Sequence, residues 1–297
     1  MRQKHTRRYF LKLFSIFSLL LAFAFLFGLV YFTDRLAQYM LHPTRLPVTG
    51  DSLRAEQIPF EDIKLKTKDG LELAAWYTAP QNGAVILLAH GYNDNRPENL
   101  YVMLVQNGYG VMAWDFRAHG ESEGDISTLG YFEQLDVEAA LDYVLAQEGV
   151  EHVGVWGGSM GAATIILTAA KRTEIEAVMA DSAFPSLEDV MKGNLPYDFL
   201  FPLMAISGEF HSGVDIGAVR PVDEIGKISP RSVFIIDGWA GMAREMSSPY
   251  RLYDAAKEPK AIWVEEGIPH LGMLANNPKK YQRQMINFFD QYLLNKK

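Results

Sequence analysis

The chain contains no cysteine. Disulfides, thiolate metal sites and a cysteine nucleophile are therefore excluded. The compartment stays open, because a well-packed domain can be exported without disulfides. Positive charge is outweighed: 28 Lys and Arg stand against 36 Asp and Glu, a net charge of −8. No basic face is expected to hold nucleic acid. There is no internal repeat and no low-complexity tract. No His, Asp and Glu cluster has metal-ligand spacing, so neither a metal nor an organic cofactor is implied.

The N-terminus is distinctive. Residues 1–12 carry Arg2, Lys4, Arg7, Arg8 and Lys12 and no acid, and Leu13–Thr33 is uncharged and mostly apolar. A run of about 20 apolar residues matches the hydrocarbon core of a bilayer. The basic flank is expected to stay cytoplasmic, which puts the bulk of the chain on the extracytoplasmic side of the cell membrane. No clear small-x-small cleavage site follows the run, so a single-pass anchor over residues 1–33 is favoured over a cleaved signal peptide. Thr6–Lys12 also resembles a twin-arginine export signal, which would carry the domain across already folded. An ordinary basic flank is the competing reading.

Residues 34–58, broken by Pro43, Pro47 and Gly50, read as a connecting segment. Residues 59–297 read as one domain. Ile63 and Leu65 alternate with charges, and Asp69-Gly70 turns into Leu71–Tyr77, a hairpin pattern. Ala84–Ala89 is continuously apolar, as a strand buried on both faces should be. Val111–Trp114, Val153–Trp156, Ile175–Ala180, Val233–Ile236 and Ala261–Val264 repeat that pattern, with helical stretches between them. Alternation of this kind predicts an α/β fold with a mostly parallel sheet covered on both faces. Residues 185–228 break the rhythm with four prolines and an apolar Phe199–Ile206 patch, and read as a lid.

Gly157-Gly158-Ser159-Met160-Gly161 sits between an apolar strand and an apolar helix. That context makes Ser159 a candidate nucleophile on a strained turn, with a helix N-terminus behind it. The run lacks the lysine of a phosphate-binding loop. His90-Gly91-Tyr92-Asn93 follows the Ala84–Ala89 strand, so the backbone N–H groups of Tyr92 and Met160 are the candidate oxyanion donors. His90 itself reads as structural. Asp115 and Arg117 read as loop-tying charges.

His90-Gly91, Asp115–Ser122, Gly157–Gly161 and His270 come in the order seen in the α/β hydrolases. Over residues 60–295 the chain resembles the serine aminopeptidase or lysophospholipase-like subgroup, which includes membrane-anchored relatives. The resemblance implies an eight-stranded α/β-hydrolase fold and makes His270, in the loop after the last strand, the base for Ser159. The subgroup's usual acid position falls on Gly241. Asp181, ending the sixth strand, is the first substitute; Asp237, ending the seventh, is the second. Glu245, or no acid at all, stays open.

The expected activity is cleavage of an ester, thioester or amide through an acyl-Ser159 intermediate, with a hydrophobic or lipid-like acyl substrate. A catalytically weak, membrane-anchored binding protein is the alternative.

Overall fold

Continuous apolar runs form buried strands, and the alternating segment forms the edge of the sheet. The computed structural model describes residues 2–240 and 249–295. The strands are β1 (Glu61–Lys66), β2 (Glu72–Thr78), β3 (Ala84–Ala89), β4 (Gly110–Trp114), β5 (His152–Gly158), β6 (Ala177–Asp181), β7 (Ser232–Trp239) and β8 (Lys260–Glu266). They make one eight-stranded sheet in the order β1-β2-β4-β3-β5-β6-β7-β8. The pairs β1–β2 and β2–β4 are antiparallel. The remaining pairs are parallel, which buries their strands beneath helices on both faces. Gly158 pairs with Asp181, and Asp181 with Ile236, so these residues meet at the C-terminal edge of the sheet. Ligands bind beyond that edge in sheets of this kind.

Helix α1 spans Arg2–Leu41. It is longer than the anchor expected over residues 1–33, and it takes in the start of the expected connecting segment. Asp34 and Arg35 end the apolar run but do not break a helix; the first residue that does is Pro43. The last turns of α1 dock on the domain, with Ala37, Met40 and Leu41 buried in its core. A short helix, α2 (Asp51–Ala55), follows.

Helices α3 (Glu98–Gln106), α4 (Glu133–Leu145) and α5 (Met160–Ala169) alternate with the strands as the periodicity predicts. Residues 185–228, where a lid is expected, contain α6 (Leu187–Gly193) and α7 (Phe201–Ser212). Ser186 caps α6 by accepting the Asp189 N–H at 3.2 Å. Helix α7 packs on the end of α1, where the Ser207 hydroxyl donates to Asp34 at 2.6 Å.

Candidate active site

Strand β5 ends at Gly158 and α5 begins at Met160, so Ser159 alone makes the turn. Its backbone sits at φ 52 and ψ −113, a conformation nearly closed to side-chain-bearing residues. Such strain costs about 1–3 kcal/mol and persists only where the surroundings enforce it. Two glycines permit the bend. A Cβ on Gly157 would lie 2.6 Å from the Gly161 backbone, and one on Gly161 would lie 2.1 Å from the Ala89 carbonyl oxygen. The Ser159 N–H donates to the Asp181 carbonyl at 2.8 Å, which ties the turn to β6.

His270 lies in the loop after β8, and its Nε2 stands 2.8 Å from Ser159 Oγ. His270 is exposed at the cavity mouth, and desolvation of its ring by the surrounding groups holds its pKa below the ordinary imidazole value. A neutral ring accepts the serine proton, so this shift keeps it ready to act at neutral pH.

Ser159 and His270 open onto a cavity of about 300 Å³ that Tyr92 and Met160 also line. Neither the Tyr92 nor the Met160 N–H has a hydrogen-bond acceptor among the described residues. Both are thus free to receive an oxygen anion, as an oxyanion hole requires. Much of the remaining wall is apolar, including Met40, Leu129, Phe184 and Val190. A smaller apolar cavity beneath α1 and α7 shares Met40 and Leu129 with it. Tyr39 and Met40 bring the end of α1 into the site, and the Tyr92 hydroxyl donates to the Tyr39 carbonyl at 2.9 Å.

Sheet order, strained serine and apposed histidine together describe a known architecture. The Pyrococcus furiosus esterase Pf2001 superimposes with a TM-score of 0.71 at 22% identity, covering 85% of this chain and 99% of that one. Residues 80–212 match the family described as Serine aminopeptidase, S33. The chain has the α/β-hydrolase fold. Among curated relatives, YqkD of Bacillus subtilis is 26% identical over 249 residues, 79% of this chain and 81% of its own. The α/β hydrolase domain-containing protein WAV2 of Arabidopsis thaliana is 26% identical over 89% of each chain. Est1E from Butyrivibrio proteoclasticus, solved with ferulic acid, aligns with a TM-score of 0.60 at 18% identity, covering 76% of this chain and 99% of that one.

Neither expected acid, Asp181 or Asp237, is turned onto His270. Among the described residues no carboxylate hydrogen-bonds the His270 ring. The Asp181 carboxylate instead accepts from Tyr281 at 2.7 Å and from Ser182 at 2.9 Å. Tyr281 in turn accepts from the Trp156 indole at 2.7 Å. Full burial pushes the Asp181 pKa up to about 6, against the opposing pull of these two donors. Asp237 is fully buried in β7 and makes no hydrogen bond to His270. Gly241 and Glu245 lie outside the described residues.

His90 is structural, as its sequence context indicates. Its Nδ1 lies 2.7 Å from the Gly91 carbonyl, and its Nε2 accepts the Phe116 N–H at 2.9 Å. Burial holds its pKa down to about 3. Asp115 pairs with Arg96 at 3.1 Å, and Arg117 with Asp136 at 2.6 Å, both within the scaffold.

Sequence reasoning missed three contributors: the α1 wall, the Ser182 hydroxyl and Tyr281. Tyr281 is separated from Trp156 by 125 positions, so no local spacing announces their contact. The α1 wall had a signal, since Ala37, Met40 and Leu41 recur at helical spacing after Asp34.

Proposed function

We propose that the chain is a membrane-anchored serine hydrolase that cleaves an ester, thioester or amide of a hydrophobic or lipid-like acyl group. The observation that carries this reading is the 2.8 Å approach of His270 Nε2 to a serine hydroxyl on a strained strand-to-helix turn. His270 takes the Ser159 proton as Oγ attacks the substrate carbonyl, and the Tyr92 and Met160 N–H groups receive the resulting oxyanion. The imidazolium returns its proton to the leaving group, leaving acyl-Ser159. Water activated by His270 then releases the acid and restores the serine. The apolar cavity walls favour an acyl chain over a polar one.

The anchor is supported by the uncharged run Leu13–Thr33 of α1, exposed over residues 13–28. Retention of that helix is favoured because its end is buried in the domain core and lines the cavity. With the basic flank cytoplasmic, the hydrolase domain lies on the extracytoplasmic side.

Asp181 acts on the base through the backbone. Asp237, at the β7 edge, is the remaining described candidate for a carboxylate that serves His270 during turnover. The lack of a carboxylate on the His270 ring among the described residues also favours a second reading, a catalytically weak relative that binds hydrophobic ligands. Hydrolysis of p-nitrophenyl esters of graded chain length separates the two. Turnover by the wild type and its loss in Ser159→Ala support the hydrolase; equal background rates in both support the binding protein.

A further inference from the structure

Residues 197–210 carry an apolar stripe that stays largely open to solvent. Phe199, Pro202, Ile206 and Phe210 recur at three- and four-residue spacing and therefore share one side of α7 and the turn before it. Phe199, Ile206 and Phe210 are 68%, 65% and 82% exposed, and the adjacent Tyr197 stacks on Phe199. Exposed side chains of this size in a row mark a contact surface.

The register between α7 and α1 identifies what covers it. Asp34 meets Ser207 and Gln38 meets His211, the same offset of 173 positions. The two helices therefore run side by side in the same direction. Extending that register one turn back puts Leu203 level with Val30, and a further turn back puts Phe199 level with Leu26. At 1.5 Å per residue, Phe199 lies roughly 12 Å to the span side of Asp34. The covered face of α1 carries on above Asp34, since Thr33 is 1% exposed and Leu29 is half-buried, while Val30, Tyr31 and Phe32 are open. The lid helix thus begins beside the last turns of the apolar run, at a depth that the anchor assigns to the bilayer.

We infer that the Tyr197–Phe210 segment lies in the interfacial layer of the membrane that α1 spans, with its N-terminal turns deepest. This rests on the anchor reading of α1. Amphipathic helices bind membranes in this way by burying an apolar face at the headgroup boundary. Asp198 and Glu209 flank the stripe, so apolar contact rather than attraction to anionic lipid holds it there. With Tyr39 of the same α1 end lining the cavity, the catalytic mouth sits close to the membrane surface. The fitting substrate class is an amphiphilic ester presented from that surface.

Because the chain has no cysteine, a single introduced thiol takes a spin label uniquely. The test uses the full chain in phosphatidylcholine vesicles, labelled in turn at Phe199→Cys, Ile206→Cys, Phe210→Cys, Leu20→Cys and Lys257→Cys. Collision with oxygen is compared with collision with a water-soluble nickel chelate. The inference predicts that Leu20 is deepest, then Phe199, Ile206 and Phe210 in that order, with Lys257 fully aqueous. If Leu20 reads the bilayer while the three lid labels match Lys257, the inference fails and the anchor stands. If Leu20 itself reads water, the anchor reading fails and takes the inference with it. Labels shielded from both reagents, with spin–spin broadening, would mean that a second copy covers the stripe, which also overturns the inference.

Discussion

The Ser182 hydroxyl accepts the N–H of Leu271 at 3.1 Å, the residue that follows His270. The same hydroxyl donates to Asp181, whose second oxygen is held by Tyr281. Asp181 is therefore linked to the histidine loop through one serine and the backbone, with no contact to the imidazole. Ser159, Ser182 and Leu271 all have positive φ, at 52, 57 and 56. Three strained residues around one network mean that the surrounding structure enforces the loop positions.

That linkage sets the effect of Asp181→Asn. Loss of one buried hydrogen-bond arrangement is worth about 1 kcal/mol, or about fivefold in rate. Loss of a true triad acid costs on the order of 10⁴. Asp181→Asn should therefore lower kcat by roughly fivefold, measured on a p-nitrophenyl ester. A fall on the scale of a triad acid would place Asp181 on the imidazole during turnover.

The same substitution should change how stability depends on pH. Asp181 has its folded pKa raised from 3.8 to about 6 by burial, so between those values the folded state holds more protons than the unfolded state. Its contribution to stability is greatest below that window and is lost as pH rises through it. The amplitude is on the order of 2–3 kcal/mol. Urea midpoints of wild type between pH 4 and pH 6 should decline more steeply than those of Asp181→Asn. Parallel declines would contradict the buried, raised carboxylate.

Much of the fold is legible because strand burial is written as composition. Ala84–Ala89 and Glu98–Gln106 form the elements that their patterns predict, and the Asp69-Gly70 turn closes the expected hairpin. The Ser159 turn is legible because only glycines fit its neighbours. The orientation of Asp181 is not. A carboxylate at a strand end can turn to either side of the sheet, and Tyr281, which decides the matter, is 100 positions away. The extent of α1 is hidden for a different reason. Charge at Asp34 and Arg35 marks the end of an apolar run, whereas the helix continues because its next apolar residues find the core.

The pH–rate profile reports on the histidine. Desolvation lowers the His270 pKa, and no carboxylate on the ring opposes that shift among the described residues. The acid limb of kcat/KM should therefore have its midpoint below the ordinary value of 6.5, with activity rising as His270 loses its proton. A midpoint above 6.5 would show a negative partner on the ring in solution.

Gly161→Ala tests the packing behind the nucleophile. The added methyl would sit 2.1 Å from the Ala89 carbonyl oxygen and 2.5 Å from that of His90. Both are backbone atoms at the end of β3, so the turn must shift. Overpacking of this kind typically costs about 1–3 kcal/mol. The variant should show a lower urea midpoint and almost no esterase activity. Full activity would mean that the close approach of α5 to β3 is dispensable.

Met40→Ala tests the role of the α1 end in the site. Met40 is 8% exposed and separates the catalytic cavity from the apolar cavity under α7. Truncating a buried Met destabilises by about 2–5 kcal/mol. Removal of this partition should also shift relative kcat/KM toward longer acyl esters. An unchanged chain-length preference would exclude α1 from substrate selection.

The account depends most on Ser159 being a nucleophile that His270 activates. Fluorophosphonate labelling of the full chain, with the adduct mapped by peptide mass spectrometry, tests this directly. A single adduct on Ser159, lost in Ser159→Ala and strongly slowed in His270→Ala, is the predicted result. An unlabelled wild-type chain, or an adduct on another residue, would contradict it.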